Sequence, residues 1–199
     1  MAYNKFTLES VVEKFDIKLT EWKDPLHGIE PYAPSRLLKE VLQEYMPLGI
    51  RIGTEKARSE FIIAPILAEI RKISKEKVSI FSGRPFTVDA KRGLNGFCDF
   101  LISQDPEQRI MKFPVVAIVE AKKDDLMGGI GQCTAEMYAA DIFNKKKNKP
   151  RKCIYGAVTM GDAWLFLKLE DNVLHAQDTP ITIDRIEMIL GMMLKMVLE

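Results

Sequence analysis

The sequence predicts an α/β fold, a mixed central sheet flanked by helices. Three observations carry this. Apolar residues recur at helical spacing over about residues 54–72, 126–143 and 182–198. Between them lie short runs of strand character, bounded by glycine, asparagine or proline. One of these, Pro114–Lys122 (PVVAIVEAK), is apolar almost to its end, as a central strand buried on both faces must be.

Taken in order, residues 7–15 read as a short amphipathic helix. Residues 21–34 hold three prolines and a glycine and read as a loop. Ser35 can cap a helix to about Tyr45, with Leu37, Leu38, Val41 and Leu42 on its apolar side and Met46–Pro47 as its stop. The pattern from Thr54 to Lys72 carries Phe61, Ile62, Ile66 and Ile70. Pro65 inside it marks either a kink or the start of a second helix. Val78–Phe81 and Pro85–Asp89 read as strands on either side of Ser82–Gly83, and Phe97–Ser103 is entered from Asn95–Gly96. After the Pro114–Lys122 strand, Leu126–Phe143 returns to helix. Cys153–Met160 and Trp164–Leu169 are strands around a Gly161–Asp162 turn, and Thr182–Leu198 closes the chain as a helix. A length of 199 residues suits one compact unit. Residues 1–53 are expected as a helical extension packed on a domain of residues 54–199.

Hydrophobic residues at 47% and charged residues at 29% are an ordinary globular balance. Cys98, Cys133 and Cys153 are odd in number and fit neither a zinc spacing nor a disulfide framework, which points to a reducing cytosol. No apolar run follows a basic start, and no stretch approaches the roughly 18 apolar residues of a spanning helix. A cytoplasmic location away from membranes is expected. The net charge of +1 lacks the global cationic excess of a nucleic-acid binder, so any such binding must rest on a local patch. Phosphate-binding loops, dinucleotide fingerprints and nucleophile elbows are missing from the sequence.

The informative feature is where the charges fall. The buried run Val115–Val119 ends in Glu120-Ala121-Lys122, and strand alternation puts Glu120 and Lys122 on one face. In Phe97–Ile102 a single charge, Asp99, sits among apolar residues. If the two strands pair as a hairpin, Asp99 lies beside Glu120. Two carboxylates so placed repel, and one takes up a proton unless a cation intervenes. Oxygen ligands with few protein contacts suit Mg²⁺ or Mn²⁺, and the Ala121 carbonyl could add a ligand. Such a metal activates water and polarises a phosphoryl oxygen, with Lys122 orienting the water or neutralising developing charge. Against this stands the commoner role of a strand-end Glu–Lys pair, simple solvation.

Gly96-Phe97-Cys98-Asp99-Phe100 followed by Ile118-Val119-Glu120-Ala121-Lys122 resembles the signature of the PD-(D/E)XK nuclease superfamily. Cys98 stands where the literal proline of that signature would be. Ser59-Glu60-Phe61-Ile62-Ile63-Ala64-Pro65 resembles the superfamily's first core helix with its glutamate. Glu60 fits that role, and Glu55 and Glu69 are alternatives. Gln132-Cys133-Thr134-Ala135-Glu136-Met137-Tyr138 resembles the helix that follows the lysine in RecB-type members. The likeness spans about residues 54–170. It implies a restriction-endonuclease-like α-β-β-β-α-β core and a Mg²⁺- or Mn²⁺-dependent endonuclease acting on DNA. Asp99, Glu120, Lys122 and Gln132 would be catalytic, and Asp99, Glu120, Ala121 and Glu60 would hold metal. Gln132 would hold Lys122 or a phosphate, or else merely bond the helix start behind flexible Gly128–Gly131.

Other residues have readings of their own. Asp89 is an alternative metal acid, although Lys91–Gly93 place it at a turn. Asp124 and Asp125 read as caps of the next helix. Lys145, Lys146, Lys147, Lys149, Arg151 and Lys152 form the densest basic cluster, either a solvated helix end or a loop that tracks DNA phosphates. Met188, Met192, Met193 and Met196 read as core, with a homodimer contact as the alternative. His27 and His175 are isolated. The rival to a nuclease is a non-catalytic nucleic-acid-binding or assembly module on the same fold. A hydrolase of small phosphates has no positive support.

Overall fold

The computed structural model describes residues 2–199 and is α/β, built on a mixed eight-stranded sheet. The strands are β1 (Lys18–Glu21), β2 (Ser79–Pro85), β3 (Phe97–Ser103), β4 (Val115–Ala121), β5 (Cys153–Thr159), β6 (Ala163–Glu170), β7 (Val173–Ala176) and β8 (Ile181–Thr182). Their spatial order is β1-β7-β6-β5-β4-β3-β2, with β8 beside β6. β1–β7 and β4–β5 pair in parallel and the other neighbours antiparallel. All seven residues of β4 are buried, which is why its sequence lacks polar alternation.

Each face of the sheet carries a helical layer. On one face lie α1 (Leu8–Phe15) and the long α5 (Leu126–Lys146), with Val11, Phe15, Ile130 and Met137 in a core shared with Leu101, Ile118 and Val158. On the other lie α2 (Arg36–Ile52), α4 (Ala64–Ile73) and α6 (Ile186–Leu198), packed through Leu38, Ile66 and Met193 on Phe100, Val119 and Phe166. Met192, Met193 and Met196 are therefore core, and Met188 is packed against it. No helix among the described residues is long and apolar enough to cross a membrane.

Several expectations are corrected. Residues 79–85 form one strand through Ser82–Gly83, and Pro85–Asp89 is not a second strand. Pro47 does not stop α2, which runs on to a left-handed Gly53. The carbonyl that the proline leaves free belongs to Gln43, which is exposed and can bond water instead. Residues 1–53 are not purely helical, since β1 extends the common sheet beside β7. The ambiguity at Pro65 resolves into a short α3 (Glu55–Arg58), a π-helical turn over Ser59–Ile63, and then α4. Ala64 N–H reaches five residues back to Ser59 O, the wide turn that lets the proline enter without a kinked break.

The N-terminal segment lies against both the sheet and α5. Tyr3 N–H donates to Asn95 O at 3.1 Å. Gly131 of α5 approaches so closely that a Cβ there would fall 2.4 Å from the backbone carbon of Thr7. The glycines expected as a flexible loop are thus the first turns of α5, where Gly131 lies against main chain and Gly129 against the Val158 and Lys122 side chains.

Candidate active site

The site forms where β3 and β4 part. Their antiparallel ladder ends at Phe100 and Val119. One step further, in the register of that ladder, Asp99 faces Glu120. There Ala121 N–H donates to Asp99 Oδ2 at 2.8 Å, so a side chain replaces the next ladder bond. Strand alternation breaks at the same point. Cys98 and Leu101 both sit in the α5-side core, while Phe100 and Ile102 sit in the other.

Glu120 is only 1% exposed. Its Oε1 accepts from Lys122 Nζ at 2.6 Å, and its Oε2 is buried with no partner. Lys122 Nζ also donates to Gln132 Oε1 at 3.2 Å, and Gln132 Nε2 donates to Glu136 Oε1 at 3.1 Å. The line Glu120–Lys122–Gln132–Glu136 runs from the strand end into α5. Asp125 caps that helix by accepting from Gly128 N–H at 2.8 Å, which fixes where its first turns lie.

Burial dominates the electrostatics. It raises Glu120 to about 8, and the neighbouring Asp99 charge adds to this against the pull of Lys122. Burial also raises Asp99, opposed by the Ala121 N–H and by the Lys122 charge. Glu55 is raised by burial and by the Asp99 charge. Burial lowers Lys122, but Glu120 outweighs it and the net shift is upward, so the amine stays an ammonium. Without a cation, the acid pair is reconciled by a proton on Glu120.

Of the residues expected at a site, Asp99, Glu120, Lys122 and Gln132 meet in one cavity of about 370 Å³. Glu55, at the first turn of α3, lines the same cavity. Thr54 caps that turn, and Arg58 anchors it by donating to Met160 O and Asp162 Oδ1 at 2.7 and 3.0 Å. Glu60 does not line this cavity. It is half exposed, pairs with Lys56 Nζ at 2.6 Å, and borders an adjoining cavity that Asp99 and Glu55 share. Glu69 is committed elsewhere, accepting from the Ser35 N–H and hydroxyl. Asp89 caps the turn at Arg92, and Asp124 is exposed beside Lys123. Tyr138 is rim packing, stacked on Phe15 at 4.5 Å between ring centroids. Among the described residues, no three His, Cys, Asp or Glu side chains gather into a preformed metal cluster.

The basic cluster lies at the opposite end of the sheet. α5 starts beside the site and ends at Lys146, roughly 30 Å along its axis. Most of the cluster is engaged there. Lys145 pairs with Asp141 at 2.7 Å, Lys152 with Glu170 at 3.3 Å, and Arg151 donates to Gln104 at 2.8 Å. Lys146 donates to Val88 O, and Lys147 lies over the Phe113 ring.

Two components were missed from the sequence. Glu136 is fully buried in α5, and the only signal was an isolated charge among small and apolar residues one turn after Gln132. Ala2, Tyr3 and Asn4 form a wall of the cavity, which no local pattern announces because the contact is more than ninety residues distant in sequence. No protein-family model matches the chain, and no curated protein matches it in sequence.

Proposed function

We propose that this protein is a divalent-metal-dependent phosphodiesterase acting on DNA, of the PD-(D/E)XK nuclease type with a restriction-endonuclease-like core. The observation that carries the reading is the juxtaposition of Asp99 and Glu120 at a splayed strand end, with the Lys122 ammonium 2.6 Å from Glu120. A cation fits there on chemical grounds. Glu120 Oε2 is buried and unpartnered, and two acids held together are costly unless a proton or a positive charge joins them. Asp99, Glu120 and the Ala121 carbonyl would hold the ion, with Glu55 better placed than Glu60 to complete its surroundings. When bound, Mg²⁺ or Mn²⁺ supplies Lewis acidity toward a phosphoryl oxygen.

The chain's own groups then have defined tasks. Lys122 keeps its proton and donates toward the oxygen on which charge grows. Gln132 restrains the ammonium, and the Ala121 N–H fixes the Asp99 carboxylate. The N-terminal wall and burial exclude bulk water, which strengthens each of these interactions.

A non-catalytic binding or assembly module is the second reading. It is favoured by the near-neutral charge and by the internal pairing of the basic cluster. Plasmid cleavage separates the two. Wild type should nick DNA with Mn²⁺ or Mg²⁺ and stop with chelator. Glu120→Ala and Lys122→Ala should abolish nicking without unfolding. Lys122→Arg should not restore it, because a planar guanidinium cannot replace a compact ammonium. Cutting that persists in purified Lys122→Ala would sink the assignment.

A further inference from the structure

We propose that Glu136 is a positioning residue for Lys122, acting through the amide of Gln132. The inference rests on reading Lys122 as the cation of the site. An ammonium group only donates hydrogen bonds, so Gln132 must turn its amide oxygen toward Lys122 Nζ, as the 3.2 Å contact has it. The amide nitrogen then points away from the strand and needs an acceptor. Glu136 Oε1, one helical turn further along α5, is that acceptor at 3.1 Å. With the acceptor removed, the Lys122 contact alone holds the amide in this orientation, and its nitrogen is left without a partner.

The setting favours this role over a simple packing one. Glu136 is fully buried, which is costly for a carboxyl unless its bonds are used. Oε1 serves Gln132, and Oε2 is buried with no hydrogen-bond partner. Among the described residues, no Lys, Arg or His pairs with Glu136. A methionine of similar volume would satisfy packing alone at this position, so the glutamate is accounted for by its acceptor oxygen. Burial raises the Glu136 carboxyl well above its ordinary value, and a carboxyl accepts through its carbonyl oxygen whether or not it carries a proton.

The test compares Glu136→Gln, which keeps an acceptor, with Glu136→Met, which keeps volume alone. The Lys122 ammonium is observed directly in the metal-free protein by ¹⁵N-edited NMR, assigned by its disappearance in Lys122→Met. Glu136→Gln should leave that signal near its wild-type position. Glu136→Met should shift or broaden it and lower DNA cleavage about tenfold, the effect of one lost hydrogen bond. An unchanged Lys122 signal in folded Glu136→Met overturns the inference, and so does equal disruption by both variants. If the signal responds as expected but wild type cleaves no DNA, the positioning role stands and the phosphodiesterase reading fails.

Discussion

Ala121 N–H donates to Asp99 Oδ2 at 2.8 Å, one residue beyond the last paired step of β3 and β4. The Asp99 carboxylate therefore both closes the strand end and sets a negative charge opposite Glu120. Asparagine keeps an oxygen acceptor and loses the charge, so it separates the two roles. Asp99→Asn should stay folded and lose its response to divalent metal. Wild type should gain about 2.7 kcal/mol at a hundredfold excess of Mg²⁺ or Mn²⁺ over the dissociation constant. Melting curves of both proteins with and without metal provide the check. An equal response removes Asp99 from the metal site.

Without metal, stability should fall as pH rises from about 5 to 8. Glu120 and Glu136 are carboxyls whose folded-state pKa is raised by burial, Glu120 to about 8. Between the ordinary carboxyl range and that value, the folded protein binds more protons than the unfolded chain. Their contribution is therefore complete below an unfolded pKa of about 4.3 and is lost as pH passes the folded value. By urea unfolding the loss should approach about 1.4 kcal/mol per pH unit for Glu120, roughly 4 kcal/mol across this range. Saturating Mn²⁺ should flatten the profile, because the cation replaces the proton between Asp99 and Glu120. A metal-free protein that gains stability from pH 5 to 8 would contradict the buried-acid description.

Glu55 and Glu60 should differ in their effect on cleavage. Glu55→Gln should reduce it at least tenfold, since Glu55 shares the cavity of Asp99 and Lys122. Glu60→Gln should leave activity within a few-fold and cost about 0.3–0.5 kcal/mol, as an exposed i,i+4 pair with Lys56 does. Plasmid nicking and thermal melts on both variants measure this. The opposite ranking would return the helical acid to Glu60.

The basic cluster should contribute little to gripping a short substrate. Changing Lys145, Lys146, Lys147 and Lys149 together to Ala would flatten a plot of log affinity against log salt by about 3–4 units if all four met phosphate. Their distance from the carboxylates and their internal partners argue instead for a change below about one unit on a duplex of about five base pairs. Fluorescence anisotropy across a salt series decides it, and a change near three units would put the loop on the DNA path.

The central part of the fold was legible because its burial leaves plain marks. β3 begins and ends where its sequence pattern does, and β4 and β5 fall within a residue of theirs at each end, since long buried strands read as nearly unbroken apolar runs. β1 was not legible. Its four residues are all exposed, and only pairing with β7 makes it a strand. At the site, the lone Asp99 and the Glu120–Lys122 spacing betrayed themselves as charges inside apolar runs. Glu55 could only be named among rivals, because the face it presents depends on a cap, an anchoring arginine and a π turn rather than on period.

The wall made by Ala2–Asn4 has a consequence for how the molecule is built. These residues leave the ribosome well before what they rest on. Asn95 supplies the acceptor for Tyr3, and Gly131 supplies the surface for Thr7. A nascent chain paused just after β4 already holds Asp99, Glu120, Lys122 and the Asn95 acceptor, but it has neither Gln132 to restrain the amine nor the α5 surface on which Thr7 rests. The acids exist before the enclosure does. Any competence that depends on the enclosure is therefore acquired only after α5 has emerged, which makes its appearance during synthesis a clock for the docking of Ala2–Asn4.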